Sequence, residues 1–127
     1  HIEQCDVVIG SRITPGAHIL IPQPYMRRML GGVFKLLVRT LIGLPMLDTQ
    51  NGFKLFRARA AKTIFNKVTV HGWSFDIEVL LLAQKHKFTV YEAPINWSND
   101  TRSTVTIVGM IKSLVEIIRI TLLYGRR

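Results

Sequence analysis

The chain has one cysteine, Cys5, so it can form no internal disulfide and offers no cysteine cluster for zinc. That suits a reducing compartment. Acidic residues are also scarce. Eight Asp and Glu stand against seventeen Lys and Arg, giving a formal net charge of +9 and a pI near 10.3. Such an imbalance calls for anionic company: nucleic acid, acidic lipid head groups or phosphorylated substrates. Asp6, Asp48, Asp76 and Asp100 stand alone, and no Asp-x-Asp pair occurs. No apolar run is long and uncharged enough to read as a membrane span. No secretory leader is visible at His1-Ile2-Glu3-Gln4, and the sequence reads as an excised piece or a processed product. Repeats and low-complexity tracts are missing too. Hydrophobic residues are plentiful: at 48% of 127 residues they argue against disorder and suffice for one modest domain.

One stretch organises the rest, Asp48-Thr49-Gln50-Asn51-Gly52-Phe53-Lys54-Leu55-Phe56. Asp and Asn hydrogen-bond nearby backbone and Gly permits positive φ, so a turn is expected between two apolar helices. Phe53, Leu55 and Phe56 are expected to tie that turn to a core. A turn so anchored can hold a carboxylate and an ammonium in fixed places. The competing reading is a capped loop, with Asp48 capping and Lys54 solvated.

Asp6-Val7-Val8-Ile9 predicts a buried strand, and Gly10-Ser11-Arg12 reads as its C-terminal end, where ligands collect in α/β sheets. Arg12 there can grip a phosphate or simply be an exposed strand end. Residues 13–25 are expected to be a mobile or extended loop, with Pro24 suited to starting a helix. Residues 26–42 predict that helix. Arg28, Gly32, Lys35 and Arg39 fall on one narrow stripe with Gly31 beside it, and the remaining surface is mostly apolar. This pattern fits a helix lying in a membrane interface, and equally a core helix with one solvated basic face.

A second helix is expected over 57–66 and a third from 75 to about 86, with Ser74 as its N-cap. Asp76 and Glu78 in its first turn suit the helix dipole, Lys85-His86-Lys87 suits its end, and Trp73 is expected in the core. Residues 88–92 predict a strand, continued by an extended segment over 93–97. The polar stretch 98–104 is expected to be flexible. A last amphipathic helix is expected over 106–124, followed by Arg126 and Arg127.

Gly10-Ser11-Arg12, the helix with Arg27 and Arg28, Asp48 to Lys54, Trp73-Ser74-Phe75-Asp76-Ile77-Glu78 and Glu92-Ala93-Pro94-Ile95-Asn96-Trp97 occur in that order. Together they resemble the C-terminal half of family 2 glycosyltransferases, over about residues 6 to 120. The nearest branch is the polyprenyl-phosphate (dolichyl-phosphate) glucosyltransferases, with dolichyl-phosphate mannosyltransferases as relatives. The resemblance implies an α/β fold: the C-terminal part of a nucleotide-diphospho-sugar transferase (GT-A type) fold, with amphipathic membrane-surface helices. Residues 1–127 would be the acceptor-side half of one domain whose N-terminal nucleotide-binding half is absent.

It implies inverting transfer of a sugar, glucose foremost, from a nucleotide sugar such as UDP-glucose to a polyprenyl or dolichyl phosphate. The setting would be the cytoplasmic face of a membrane, with this chain inactive alone and a homo-oligomer possible. A divalent cation (Mg or Mn) would serve the parent protein, with no metal ligand expected here. By the same likeness, Asp48 is the catalytic residue, as base or orienting carboxylate. The second role is favoured, because a phosphate acceptor is already ionised near neutral pH. Arg12 and Ser11 would face the donor diphosphate. Arg28 and Arg27, with Gly31, Gly32 and Lys35, would bind the lipid phosphate. Gln50, Asn51, Lys54, Trp73, Asp76 and Glu78 would support the site. Mannosyltransferase relatives often have a serine one turn beyond the arginines; Gly31 and Gly32 leave backbone contact as the substitute. The alternative is a non-catalytic basic module binding nucleic acid or an anionic membrane. Nucleic acid fits less well, since the cations are interleaved with Leu, Ile and Val and no recognition motif occurs.

Overall fold

Val7, Val8 and Ile9 are β-branched and buried, and they form the strand on which the rest is assembled. The computed structural model describes residues 1–100 and 106–124. In chain order the elements are β1 (Val7–Ser11), β2 (His18–Ile21), α1 (Tyr25–Ile42), β3 (Lys54–Phe56), α2 (Ala58–Phe65), α3 (Phe75–Lys85), β4 (Val90–Pro94), β5 (Asn96–Ser98) and α4 (Ile107–Tyr124). β1 is the central strand of three. β3 lies antiparallel on one side, with Val8 opposite Leu55, and β4 lies parallel on the other, with Val8 opposite Tyr91. β2 and β5 form a separate parallel ribbon. The architecture is mixed α/β, as expected.

The helices follow their apolar patterns. α1 starts directly after Pro24, whose fixed φ suits a helix entry. It ends at Gly43, in the left-handed region at φ 76°, with the Gly43 N–H bonded to the Arg39 carbonyl. Phe34, Val38 and Ile42 are its buried face. α3 is buried almost all round, from Ile77 to Ala83, and forms the centre of the core with β1, α2 and α4. α4 contributes Ser113, Ile117 and Ile120 to that core. No described helix is long and apolar enough to cross a membrane.

Several expectations need correction. Residues 13–25 are not all loop, because His18–Ile21 pair with Asn96–Ser98. Lys54–Phe56 form an edge strand against β1 and are not merely the end of a turn. Alternation along β3 sends Leu55 outward, and Phe53 is 63% exposed, so only Phe56 ties this stretch to the core. Ser74 precedes α3, but its side chain does not cap the helix. Its Oγ donates to the Ser113 carbonyl, while its own carbonyl accepts from Ile77 and Glu78. Trp73 is 44% exposed and lies against Gly109 on α4 instead of entering the core. The polar stretch 98–104, from 101 onward, and Arg126 and Arg127 lie outside the described residues.

Glu78 is a fully buried carboxylate, and its partners explain it better than the helix dipole does. It accepts from Thr69 N–H (2.9 Å), Thr69 Oγ1 (2.8 Å), Val70 N–H (2.8 Å) and the Tyr124 hydroxyl (2.9 Å). α3, the preceding loop and the end of α4 are thereby joined. Burial alone would raise the Glu78 pKa, but the hydrogen bonds from Val70, Thr69 and Tyr124 outweigh it and hold it below its ordinary value. Burial, and then the Glu78 carboxylate, push the Tyr124 hydroxyl up to about 12, so it remains a donor. A depressed carboxylate stabilises the fold above its unfolded pKa of about 4.3, and that share is lost as pH falls through the folded value. The acid side of the unfolding free-energy profile should therefore be shallower in Glu78→Gln than in the wild type. Parallel profiles in urea titrations between pH 7 and 3 would remove Glu78 from this role.

Candidate functional site

β1 and β4 run parallel, so their C-terminal ends emerge side by side, the place where open α/β sheets bind ligands. Arg12 follows β1 directly. Asp48 comes from the loop after α1 and is fully buried. Its Oδ2 accepts from the Arg12 backbone N–H (2.9 Å) and Nε–H (2.8 Å), and its Oδ1 accepts from Arg12 Nη2–H (2.7 Å). This is the bidentate fork that guanidinium and carboxylate planes favour. Lys35 of α1 brings a second cation, its Nζ 3.9 Å from Asp48 Oδ1.

Two further side chains hold this pair in place. Glu92 on β4 accepts from the backbone N–H groups of Leu47 and Asp48 at 3.0 Å, clamping the acidic turn to the sheet. Trp97 on β5 lies across the Arg12 guanidinium, 5.1 Å from ring centre to carbon. Neither was expected to have a role from sequence. Both lie in the Glu92 to Trp97 motif, and the signal available was that this motif follows a strand able to lie parallel to β1.

Burial alone would raise the Asp48 pKa, but the Arg12 hydrogen bonds and the nearby Arg12 and Lys35 charges bring it below its ordinary value. The Asp48 contact raises the Arg12 pKa in turn. Burial lowers the Lys35 pKa, Asp48 opposes this, and Arg12 adds to it. Two cations thus face one carboxylate, and this leaves a local positive excess that an anion can answer. Asp48 itself, with both oxygens held by Arg12 and its basicity reduced, is suited to orienting and poorly suited to accepting a proton.

A cavity of about 190 Å³ opens beside this cluster, between α1 and the 44–49 loop. Lys35 and Arg39 supply its charge, and Leu36, Leu44, Met46 and Leu47 its apolar lining. Arg28 lies on the same α1 stripe as Lys35, two turns nearer the N-terminus, and is exposed. Arg27 is half-buried. At Gly31 and Gly32 nothing stands within 4 Å of where a Cβ would project, so the backbone there is open to approach. Ser11 is fully buried, and its Oγ accepts from the Ile13 and Thr14 N–H groups.

The other end of the turn is also fixed by charge. Lys54 is only 6% exposed, contrary to the capped-loop reading, and its Nζ donates to Asp76 Oδ1 (2.8 Å) and to the Asn51 carbonyl. Asn51 Oδ1 accepts from the Phe53 N–H in an Asx turn. Gln50 is half-buried. Asp76 therefore serves the turn as well as α3, while Glu78 and Trp73 lie in other contacts described above.

Among the described residues, no group of three or more His, Cys, Asp or Glu side chains is arranged to hold a metal ion. The acids nearest the cavity are committed, Asp48 to Arg12 and Glu92 to backbone amides. The described residues around the cavity therefore do not fit a cation centre.

No protein-family model matches the chain. Curated proteins do. The chain is 37% identical over 120 residues to a dolichyl-phosphate beta-glucosyltransferase of Trichomonas vaginalis, covering 93% of this chain and 35% of that protein. It is 34% identical over 128 residues to the dolichyl-phosphate beta-glucosyltransferase of Saccharomyces cerevisiae, covering 94% and 37%. To that of Dictyostelium discoideum it is 33% identical over 116 residues, covering 87% and 36%. The chain thus spans about a third of the length of the curated relatives it matches. The resemblance drawn from the ordered motifs is borne out.

The Glu92 clamp has a direct test. Glu92→Gln is expected to lower the unfolding free energy by about 1–2 kcal/mol and to speed amide hydrogen exchange at Leu47 and Asp48. Unchanged protection at both amides would show that the turn is held some other way.

Proposed function

We propose that this chain is the acceptor-side part of a GT-A type, family 2 glycosyltransferase. Its parent protein transfers glucose from a nucleotide sugar, UDP-glucose, to dolichyl or polyprenyl phosphate. The observation that carries this reading is the Asp48–Arg12–Lys35 cluster opening beside a cavity lined both by cations and by apolar side chains. A phosphate monoester on an isoprenoid chain matches that combination. The similarity to dolichyl-phosphate beta-glucosyltransferases supports the choice of acceptor.

In this reading the lipid phosphate lies toward Lys35 and Arg39, with Arg28 and Arg27 drawing it along the α1 stripe and the backbone at Gly31 and Gly32 free for close approach. Arg12 faces the donor diphosphate. Preorganised cations offset the charge that gathers as two phosphate-bearing substrates meet. The acceptor is ionised already, so Asp48 orients Arg12 and takes no proton. The nucleotide pocket belongs to the other half of the domain, outside this chain. A divalent cation that neutralises the donor diphosphate would be held there.

α1 and α4 supply the setting. At about 100° per residue, Met29, Val33 and Leu36 fall on the side of α1 away from Phe34, Val38 and Ile42, and Met26 and Leu30 near its start are exposed as well. Val108, Ile111, Val115, Ile118 and Leu122 do the same on α4, opposite Ser113, Ile117 and Ile120. Ile19, Leu20 and Ile21 on β2 are exposed as well. In this reading a lipid surface covers these apolar rows. With a net charge of +9 the chain suits the anionic cytoplasmic face of a membrane, each helix lying in the interface plane.

In the full-length protein, Asp48→Asn is expected to reduce glucose transfer by roughly 10²-fold or more with the near-ultraviolet circular dichroism retained. Lys35→Ala and Arg28→Ala should raise KM for dolichyl phosphate by about tenfold with little change for UDP-glucose. Wild-type turnover in Asp48→Asn, or equal shifts for both substrates in the cation variants, would defeat the assignment.

Membrane contact is tested separately. A bimane label at Val33→Cys or Val115→Cys should be quenched by brominated lipids in vesicles containing the protein, and one at Lys87→Cys should not. Equal quenching at all three positions would count against interfacial helices.

A further inference from the structure

Arg12 is held from two directions. Two of its five N–H donors are spent on Asp48, one through Nε and one through Nη2. The other three have no partner among the described residues. Its guanidinium carbon lies 5.1 Å from the centre of the Trp97 ring, and its side chain is 21% exposed. Trp97 arrives from another part of the fold, the β2–β5 ribbon, where it sits opposite Ile19.

These two contacts constrain different motions. The carboxylate fixes one edge of the guanidinium, but a bidentate pair still twists easily about the line joining its two carbons. An aromatic face laid across the guanidinium resists that twist, because tilting the plane loses stacking area and cation–π attraction. The choice of an aromatic also matters chemically. A second carboxylate would fix Arg12 as well, but it would cancel the remaining positive charge and repel an incoming phosphate. The indole face holds the cation and adds no negative charge.

We propose that Trp97 is a positioning residue: it fixes the plane of the Arg12 guanidinium so that the donors left free by Asp48 meet the oxygens of a substrate phosphate. This deepens the transferase reading and rests on it for the ligand class. That reading makes this phosphate the donor diphosphate, with the lipid monophosphate as the other source of the same chemistry.

Calorimetric titration of the full-length protein with pyrophosphate, and separately with a short-chain polyprenyl phosphate, tells the two sources apart. Trp97→Leu, which keeps apolar bulk and loses the π face, should weaken one of the two probes about tenfold, and Trp97→Phe should weaken it less. Arg12→Lys should weaken the same probe, and the double variant Arg12→Lys with Trp97→Leu should lose little more than Arg12→Lys alone. Thermal unfolding midpoints identify any variant that has merely failed to fold, and Trp97→Phe keeps the question open to test if Trp97→Leu does fail. Equal binding by Trp97→Leu and Trp97→Phe, additive losses in the double variant, or a wild type that binds neither probe would overturn the assignment. Glucose transfer measured alongside keeps the two proposals apart. A wild type that binds with the expected Trp97 dependence but transfers nothing sinks the transferase reading alone, and active enzyme insensitive to Trp97→Leu sinks the Trp97 role alone.

Discussion

A carboxylate with no exposed surface must have its charge answered locally, because burial removes the water that would otherwise solvate it. Asp48 meets this requirement with three hydrogen bonds from one residue, Arg12, two from the guanidinium and one from the backbone. Much of the surrounding structure serves that arrangement. β1 delivers Arg12, the parallel neighbour β4 delivers Glu92 to hold the Asp48 amide, and β5 delivers Trp97 to the guanidinium face. Without the fork the buried charge would be left with Lys35 alone, 3.9 Å away.

α1 shows how one helix can serve three surroundings. Phe34, Val38 and Ile42 face the core, Met29, Val33 and Leu36 form an apolar row on the outward side, and Arg28, Lys35 and Arg39 form a cationic edge between these two faces. Lys35 is where the cationic edge meets the Asp48 cluster. The helix thus joins an outward apolar surface to a buried charge cluster through a single row of cations.

Local pattern carried much of this. The β-branched run at Val7, the Pro24 start, the stop at Gly43 and the helix beginning at Phe75 were all legible, because each rests on residues adjacent in sequence. The Asp48 turn stood out by composition, and its resemblance to a transferase motif gave it chemistry. Pairings made at a distance were not legible. Nothing near Asp48 in sequence names Arg12, thirty-six residues away, as its partner. β3 is only three residues long and carries Leu55 outward, with Phe53 just before it also exposed, so the apolar content of this stretch suggested core where exposure prevailed. Ser74 had the right identity and position for an N-cap, but the Ser113 carbonyl across the interface with α4 claimed its hydroxyl. In each case a tertiary partner prevailed over a local preference.

The charge excess follows from the same internal economy of acids. Of the eight carboxylates, Asp6, Asp48, Asp76, Glu78, Glu92 and Glu116 each accept a hydrogen bond from a residue distant in sequence, and so are committed to holding loops and helix ends together. Arg12, Lys35 and Lys54 answer two of these acids from within the fold. Arg28 and Arg39 of α1, and Arg59 and Lys62 of α2, point outward. The anions that could balance such cations must come from the surroundings. On α1 those cations lie beside an exposed apolar row, the combination on which the proposed membrane-surface setting rests.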